Sequence, residues 1–146
     1  MNKKVFAILS ILAVLMIGCA YASDSSDSLN NNTITISGMN FTIPEGFTED
    51  VEEAIVNETG SDEGYNYVTE SKTFECNDDF IIISVSIYDK NLTGDYMQDF
   101  GDEATINNVS GFYEDLGFLS LFSYTQGNKL IILSANEKQI IEDVLS

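Results

Sequence analysis

The stretch Phe80–Tyr88, Phe-Ile-Ile-Ile-Ser-Val-Ser-Ile-Tyr, does most to decide what this chain can fold into. Asn77-Asp78-Asp79 precedes it and Asp89-Lys90-Asn91 follows it. In an extended backbone Ile81, Ile83, Val85 and Ile87 share one face, and Phe80, Ile82, Ser84, Ser86 and Tyr88 share the other. One face is wholly apolar and the other is apolar only at its start. The density of Ile and Val favours a strand over a buried helical turn. The pattern predicts a central strand, covered fully on one side and partly on the other.

The flanking sequence supplies partners for that strand. Tyr65–Cys76 reads as a strand, with Val68, Phe74 and Cys76 on one side and Tyr65 and Tyr67 on the other. Asn77-Asp78-Asp79 joins the two as a hairpin. Thr33–Ser37 and Asn40–Ile43 alternate around Gly38-Met39 and predict another hairpin. Leu119–Thr125 and Lys129–Ser134 flank Gln126-Gly127-Asn128 and predict a third. Thr48–Asn57 predicts a short helix: Thr48 is a possible N-cap, Glu49 and Asp50 suit the first turn, and Val51, Ala54 and Ile55 share a face. Glu58–Gly64 reads as a loop. In Asp89–Glu103, Tyr96, Met97 and Phe100 are spaced as a short helical face. Thr105–Tyr113 carries the turn-forming pairs Asn107-Asn108 and Ser110-Gly111. Asn136 is placed to cap a final helix, with Gln139 at the capping-box position and Ile140, Ile141, Val144 and Leu145 as its apolar face. The expected fold is α+β. It is an antiparallel sheet of five to six strands built from hairpins, with helices on one face and the C-terminal helix against Phe80–Tyr88 and Lys129–Ser134.

The N-terminus reads as an export signal over residues 1–22. Lys3 and Lys4 precede an apolar run, Val5–Ile17, that is short for a membrane span. Two processing sites compete. Leu15-Met16-Ile17-Gly18-Cys19 resembles a lipobox with Cys19 as the lipidated residue, although Met16 stands where that motif usually has Leu. Ala20-Tyr21-Ala22 suits ordinary signal peptidase. A single acyl chain holds a protein on a membrane only marginally, so a stable anchor would need two. Residues 23–32 are polar and acidic, with Leu29 the one apolar side chain, and predict a flexible tether. Residues 33–146 then form a single domain. The expected location is the extracellular face of the cell membrane, or the medium.

Charge narrows the partners. The chain has 24 acidic residues, six lysines, no arginine and no histidine, for a net charge of -18. Loss of Lys3 and Lys4 with the signal leaves four lysines and a net charge of -20. Such a surface repels phosphate backbones and anionic headgroups, so no nucleic-acid partner is expected, and membrane contact only through an anchor or the signal. The lack of histidine removes the usual serine triads and most zinc sites. Cys76 lacks the histidine that a cysteine nucleophile normally needs and is expected as a small buried apolar residue. Carboxylates remain, and two can hydrolyse glycosides, but scattered acids single out no pair.

Asp89-Lys-Asn91-Leu-Thr93-Gly94-Asp95 resembles the first half of an EF-hand loop. Asp89, Asn91 and Thr93 stand at positions 1, 3 and 5, Gly94 at 6, and Asp95 at 7. Position 12 is Phe100 rather than the bidentate Glu, and a strand precedes the loop. Calcium there would need Asp99 or Asp102 to fold back. Five sequons, at Asn31, Asn40, Asn57, Asn91 and Asn108, fit an exported glycoprotein, with Asn40 the weakest acceptor because it lies in a strand.

Phe41-Thr-Ile-Pro-Glu-Gly-Phe47, the paired strands, Asn108-Val-Ser-Gly111 and Phe122-Ser-Tyr-Thr-Gln-Gly-Asn-Lys-Leu-Ile-Ile-Leu-Ser134 with a last helix together resemble the PsbP/Mog1/DcrB-like secreted domain. They are also similar to small uncharacterised exported proteins of archaea. The resemblance covers roughly residues 33–146. It implies an antiparallel sheet flanked by helices and no one activity, since members of that fold do not share a function. The leading expectation is a non-enzymatic cell-surface or secreted accessory domain that binds an envelope or extracellular partner and holds no cofactor. A calcium-binding extracellular module and a small carboxylate-dependent hydrolase are the alternatives.

Overall fold

Nine strands and two short helices make up a mainly β structure, seen in a computed structural model that describes residues 33–146. The expected signal segment with Cys19, the expected tether and Asn31 lie outside the described residues. Strands β1 (Thr33–Ile36) and β2 (Met39–Thr42) form a separate hairpin. The main sheet is antiparallel and contains β3 (Thr48–Asp62), β4 (Tyr65–Cys76), β5 (Asp79–Tyr88), β6 (Asp102–Ile106), β7 (Val109–Asp115), β8 (Ser120–Gln126) and β9 (Lys129–Ala135). Their spatial order is β3-β4-β5-β9-β8-β7-β6. Helix α1 (Gly94–Met97) runs into a 3-10 turn, Gln98–Phe100, and α2 (Lys138–Val144) closes the chain.

The Phe80–Tyr88 stretch is an interior strand, but β9 occupies the middle of the sheet and β5 lies beside it. Ile83 pairs with Lys72 on one side and Leu133 on the other. Its face carries Ile81, Ile83, Val85, Phe122, Ile131 and Leu133, all buried beneath Ile36, Phe41 and Ile43 of the hairpin region and Ile140, Ile141 and Val144 of α2. Ser37 pins that hairpin down. Glu70 accepts from its backbone N–H and its hydroxyl, and Lys129 Nζ donates to its carbonyl. The cover ends before Ile87, which is 37% exposed. The opposite face packs Ile82, Tyr88, Leu121, Leu130 and Ile132 beneath Tyr96, Met97 and Phe100. The two helices therefore cover opposite faces of the sheet, not one face as the sequence suggests.

The segment expected as a helix, Thr48–Asn57, is strand, and so is most of the expected loop Glu58–Gly64. A ten-residue acidic helix without lysine partners is marginal, whereas pairing with β4 satisfies the backbone directly. Of the apolar face it would have presented, Val51 is 73% exposed and Ala54 and Ile55 are only half-buried. The pairing is irregular. Between Asp50 and Ile55, and again between Ile55 and Glu58, β3 uses more residues than β4. Asn57 takes a left-handed φ of 54° within this bulged region.

Thr105–Tyr113 is also strand, folded at Asn107-Asn108. Both asparagines have positive φ, the backbone that a tight two-residue hairpin turn requires. Asn136 does not cap the last helix. Glu137 takes the cap position with no side-chain bond, while the Asn136 amide accepts from Phe80 N–H at 3.1 Å and donates to Asp79 at 2.9 Å. Gln139 bonds Asp143 one turn later. Cys76 is half-buried at the end of β4, not enclosed with Phe74 as expected, because the cover of the sheet gives out there.

A band of hydroxyls crosses the α1-covered face. Ser84 donates to Ser71 at 2.9 Å, and Thr69 bonds Ser86 at 2.7 Å. Thr73 is 5% exposed and its Oγ1 has no partner. Burying a hydroxyl without a bond is costly, and valine has the same shape. Thr73→Val is expected to stabilise the fold by about 1 kcal/mol. The check is a higher denaturation midpoint at unchanged m-value; a lower midpoint would mean that the hydroxyl is bonded in solution.

Candidate functional site

The sheet ends in a group of aromatic rings where three chain segments meet. The first is the β3–β4 turn. Glu63 and Gly64 both have positive φ, which turns the chain in two residues and sets Tyr65 and Tyr67 on the same face. Tyr67 lies over Gly60, where any Cβ would clash with its ring. The second is the end of β5, where Tyr88 pairs with Tyr67. The third is α1. Thr93 caps it by accepting from Tyr96 N–H at 3.3 Å, and this positions Tyr96 over the strands.

The rings form one connected group. Centroids are 5.0 Å apart for Tyr65–Tyr96, 5.1 Å for Tyr67–Tyr88, 6.0 Å for Tyr88–Tyr96 and 5.9 Å for Tyr96–Phe100. These separations and tilts are those that aromatic pairs favour. Tyr88 and Tyr96 are buried, while Tyr65 and Tyr67 are half-exposed. The Tyr96 hydroxyl donates to Asp62 at 2.9 Å, so Tyr88 donates to Tyr96 at 3.2 Å. Lys90 places its ammonium 4.4 Å from the centroid of the Tyr65 ring.

The loop after β5 is fastened on both sides. Asn66 receives Asp89 N–H at its carbonyl and donates its amide to the Asp89 carboxylate at 2.8 Å. Asn128 accepts from Tyr88 N–H and donates to its carbonyl. The Asn66 hydrogen bond draws the Asp89 carboxyl below its ordinary value.

The four residues of the EF-hand-like loop serve different ends. Asp89 is engaged with Asn66 and Thr93 with the helix it caps, while Asn91 and Asp95 are exposed. Asp102 opens β6. Among the described residues, no group of three or more His, Cys, Asp or Glu is placed to hold a metal ion. Asn57 sits in the β3 bulge and Asn108 in the β6–β7 turn; both are exposed, as is Asn40, whose side chain accepts from Thr35.

Two open depressions lie elsewhere. One of about 460 Å³ runs along Glu103, Ala104, Thr105, Ser110, Gly111 and Phe112. The other, about 490 Å³, is bounded by Gly38, Met39, Asn40, Gln126, Gly127 and Lys129. Neither is lined by the two carboxylates that glycoside hydrolysis requires.

Burial, above all, keeps the phenols protonated. It pushes Tyr88 and Tyr124 up to about 12 and moves Tyr67 and Tyr96 upward as well. These hydroxyls are donors at neutral pH and not bases. Because the folded values exceed the ordinary 10.0, the stability they confer is complete below pH 10 and is lost as pH rises towards 12. A pH titration should therefore show tyrosinate absorbance rising together with loss of the folded circular dichroism signal in that window. Ionisation of all the tyrosines before any unfolding would contradict the buried hydroxyl chain.

Tyr65, Tyr67 and the Tyr96–Phe100 spacing are visible in the sequence, but Asp62, Asn66 and Lys90 carry no signal that sets them apart from their neighbours. No family model, curated protein or solved structure matches the chain.

Proposed function

We propose that this chain is a non-enzymatic exported accessory domain that holds an extracellular or envelope partner at its tyrosine-lined end. The observation that carries the reading is the pair of half-exposed rings, Tyr65 and Tyr67, mounted on buried Tyr88 and Tyr96. Rigid aromatic side chains supply contact area at small entropic cost, which makes them the usual anchors of binding surfaces. The position after an export signal and a polar tether suits a domain that stands off a membrane. The resemblance to PsbP/Mog1/DcrB-like domains is compatible with this role and adds no activity to it.

A photo-crosslinking residue at position 67, in intact cells, tests the surface. The same residue at position 118 is the control, because Phe118 is 62% exposed at the other end of the sheet. A discrete adduct from position 67 and none from 118 is the expected result. Equal labelling from both positions would refute the surface. Cys19→Ser tests the location: release into the medium follows if the cysteine is lipidated, and unchanged fractionation favours cleavage after Ala22.

A further inference from the structure

We propose that the tyrosine-lined end recognises a basic segment of a protein partner, and that Lys90 is an internal stand-in for the partner's cation; this rests on the binding role proposed above. The Tyr65 ring already holds an ammonium group, that of Lys90, at 4.4 Å. Attraction between a cation and the electron-rich face of an aromatic ring is strongest within about 6 Å of the centroid. Asp62 accepts the hydroxyl chain of Tyr96 and Tyr88 behind Tyr65 and Tyr67, so the rings sit against a negative backing. Glu58, Asp62 and Glu63 lie on the same hairpin as Tyr65 and Tyr67, with Asp89 on the neighbouring loop and Asp95 in the first turn of α1.

The charge of the whole molecule selects the partner. A chain at -18 with no arginine repels acidic proteins, nucleic acids and anionic headgroups, and it attracts lysine- and arginine-rich segments from a distance. Tyr67, half-exposed beside Tyr65, offers a second ring to the same segment. Lys90 is exposed on a surface loop, beside Asp89 and over the ring, so an incoming lysine can displace it.

The test uses the protein as exported and a capped peptide with three lysines separated by glycines. Lys90→Ala removes one positive charge and uncovers the Tyr65 face. Lys72→Ala removes one positive charge from β4, where that lysine pairs with Glu49 at 2.8 Å. If the net charge of the molecule alone governed binding, both variants would tighten it equally; a Tyr65→Leu background separates the ring from local charge. The expected result is that Lys90→Ala binds the peptide about two- to fivefold more tightly than Lys72→Ala does. In a Tyr65→Leu background the difference should vanish. Equal affinities for the two lysine variants overturn the proposal, and that comparison stands even if Tyr65→Leu does not fold. Binding of a neutral oligosaccharide such as cellotriose at Tyr65 and Tyr67, with no peptide binding, also overturns it and makes the surface a sugar site. Failure of the peptide alongside a specific adduct from position 67 removes the basic partner and leaves the binding role; failure of the adduct removes the role itself.

Discussion

Ile83→Ala is expected to cost about 2–5 kcal/mol, the range for deleting a large aliphatic side chain from a core that cannot collapse around the gap. Ile83 is 0% exposed. It is flanked in the sheet by Lys72 and Leu133, and it shares a cluster with residues from β1, β2, β8, β9 and α2. The wall on each side is therefore a paired strand and the roof is a docked helix and hairpin, so little of the void can be refilled. The total stability of a domain this size is only about 5–15 kcal/mol. Denaturant melts of the two proteins decide the matter. A loss below about 1 kcal/mol would mean that the roof is loosely seated and relaxes into the space.

Ending the chain after Asn136 is expected to abolish cooperative folding. The deletion removes Ile140, Ile141 and Val144, which are 7%, 0% and 4% exposed. Full burial of each such side chain contributes about 1.5–3 kcal/mol, so three together rival the stability of the whole domain. It also uncovers the face that carries Ile81, Phe122 and Leu133. Asn136 itself is retained because it holds the start of β5. Circular dichroism melts of the shortened chain should show no sharp transition. Ile141→Ala supplies the graded case, at about 2–5 kcal/mol. A shortened chain that still melted cooperatively near the temperature of the full protein would make the helix an appendage.

The elements that were legible are those whose signal is local. Phe80–Tyr88 declares its two faces by alternation, and Gly38, Asn77 and Gly127 mark turns by a backbone that few residues tolerate. Thr48–Asp62 was misleading because acids after a threonine imitate a helix start, while the force that decided its structure, pairing with β4, comes from distant residues. The β6–β7 hairpin had a signal in Asn107-Asn108, but weak alternation around it hid the strands. The pairing of β5 with β9 joins residues some fifty positions apart, which no local pattern reveals. The aromatic end divides in the same way. Tyr65 and Tyr67 share a side by alternation, but only the fold brings Tyr88, Tyr96 and Asp62 against them.

The two margins of the seven-stranded sheet differ in one further respect. Along β3 the register breaks twice and Asn57 turns left-handed, so its outer row of N–H and C=O groups is not a straight template. Along β6 five residues run without a break. A straight row of unpaired backbone groups can recruit another strand, and an interrupted one resists it. Of the two margins, then, β6 is the one whose geometry leaves it open to strand addition, and the bulged β3 is the one that geometry blocks. In the polymer chemist's terms the sheet is monofunctional, with one open end and one capped end.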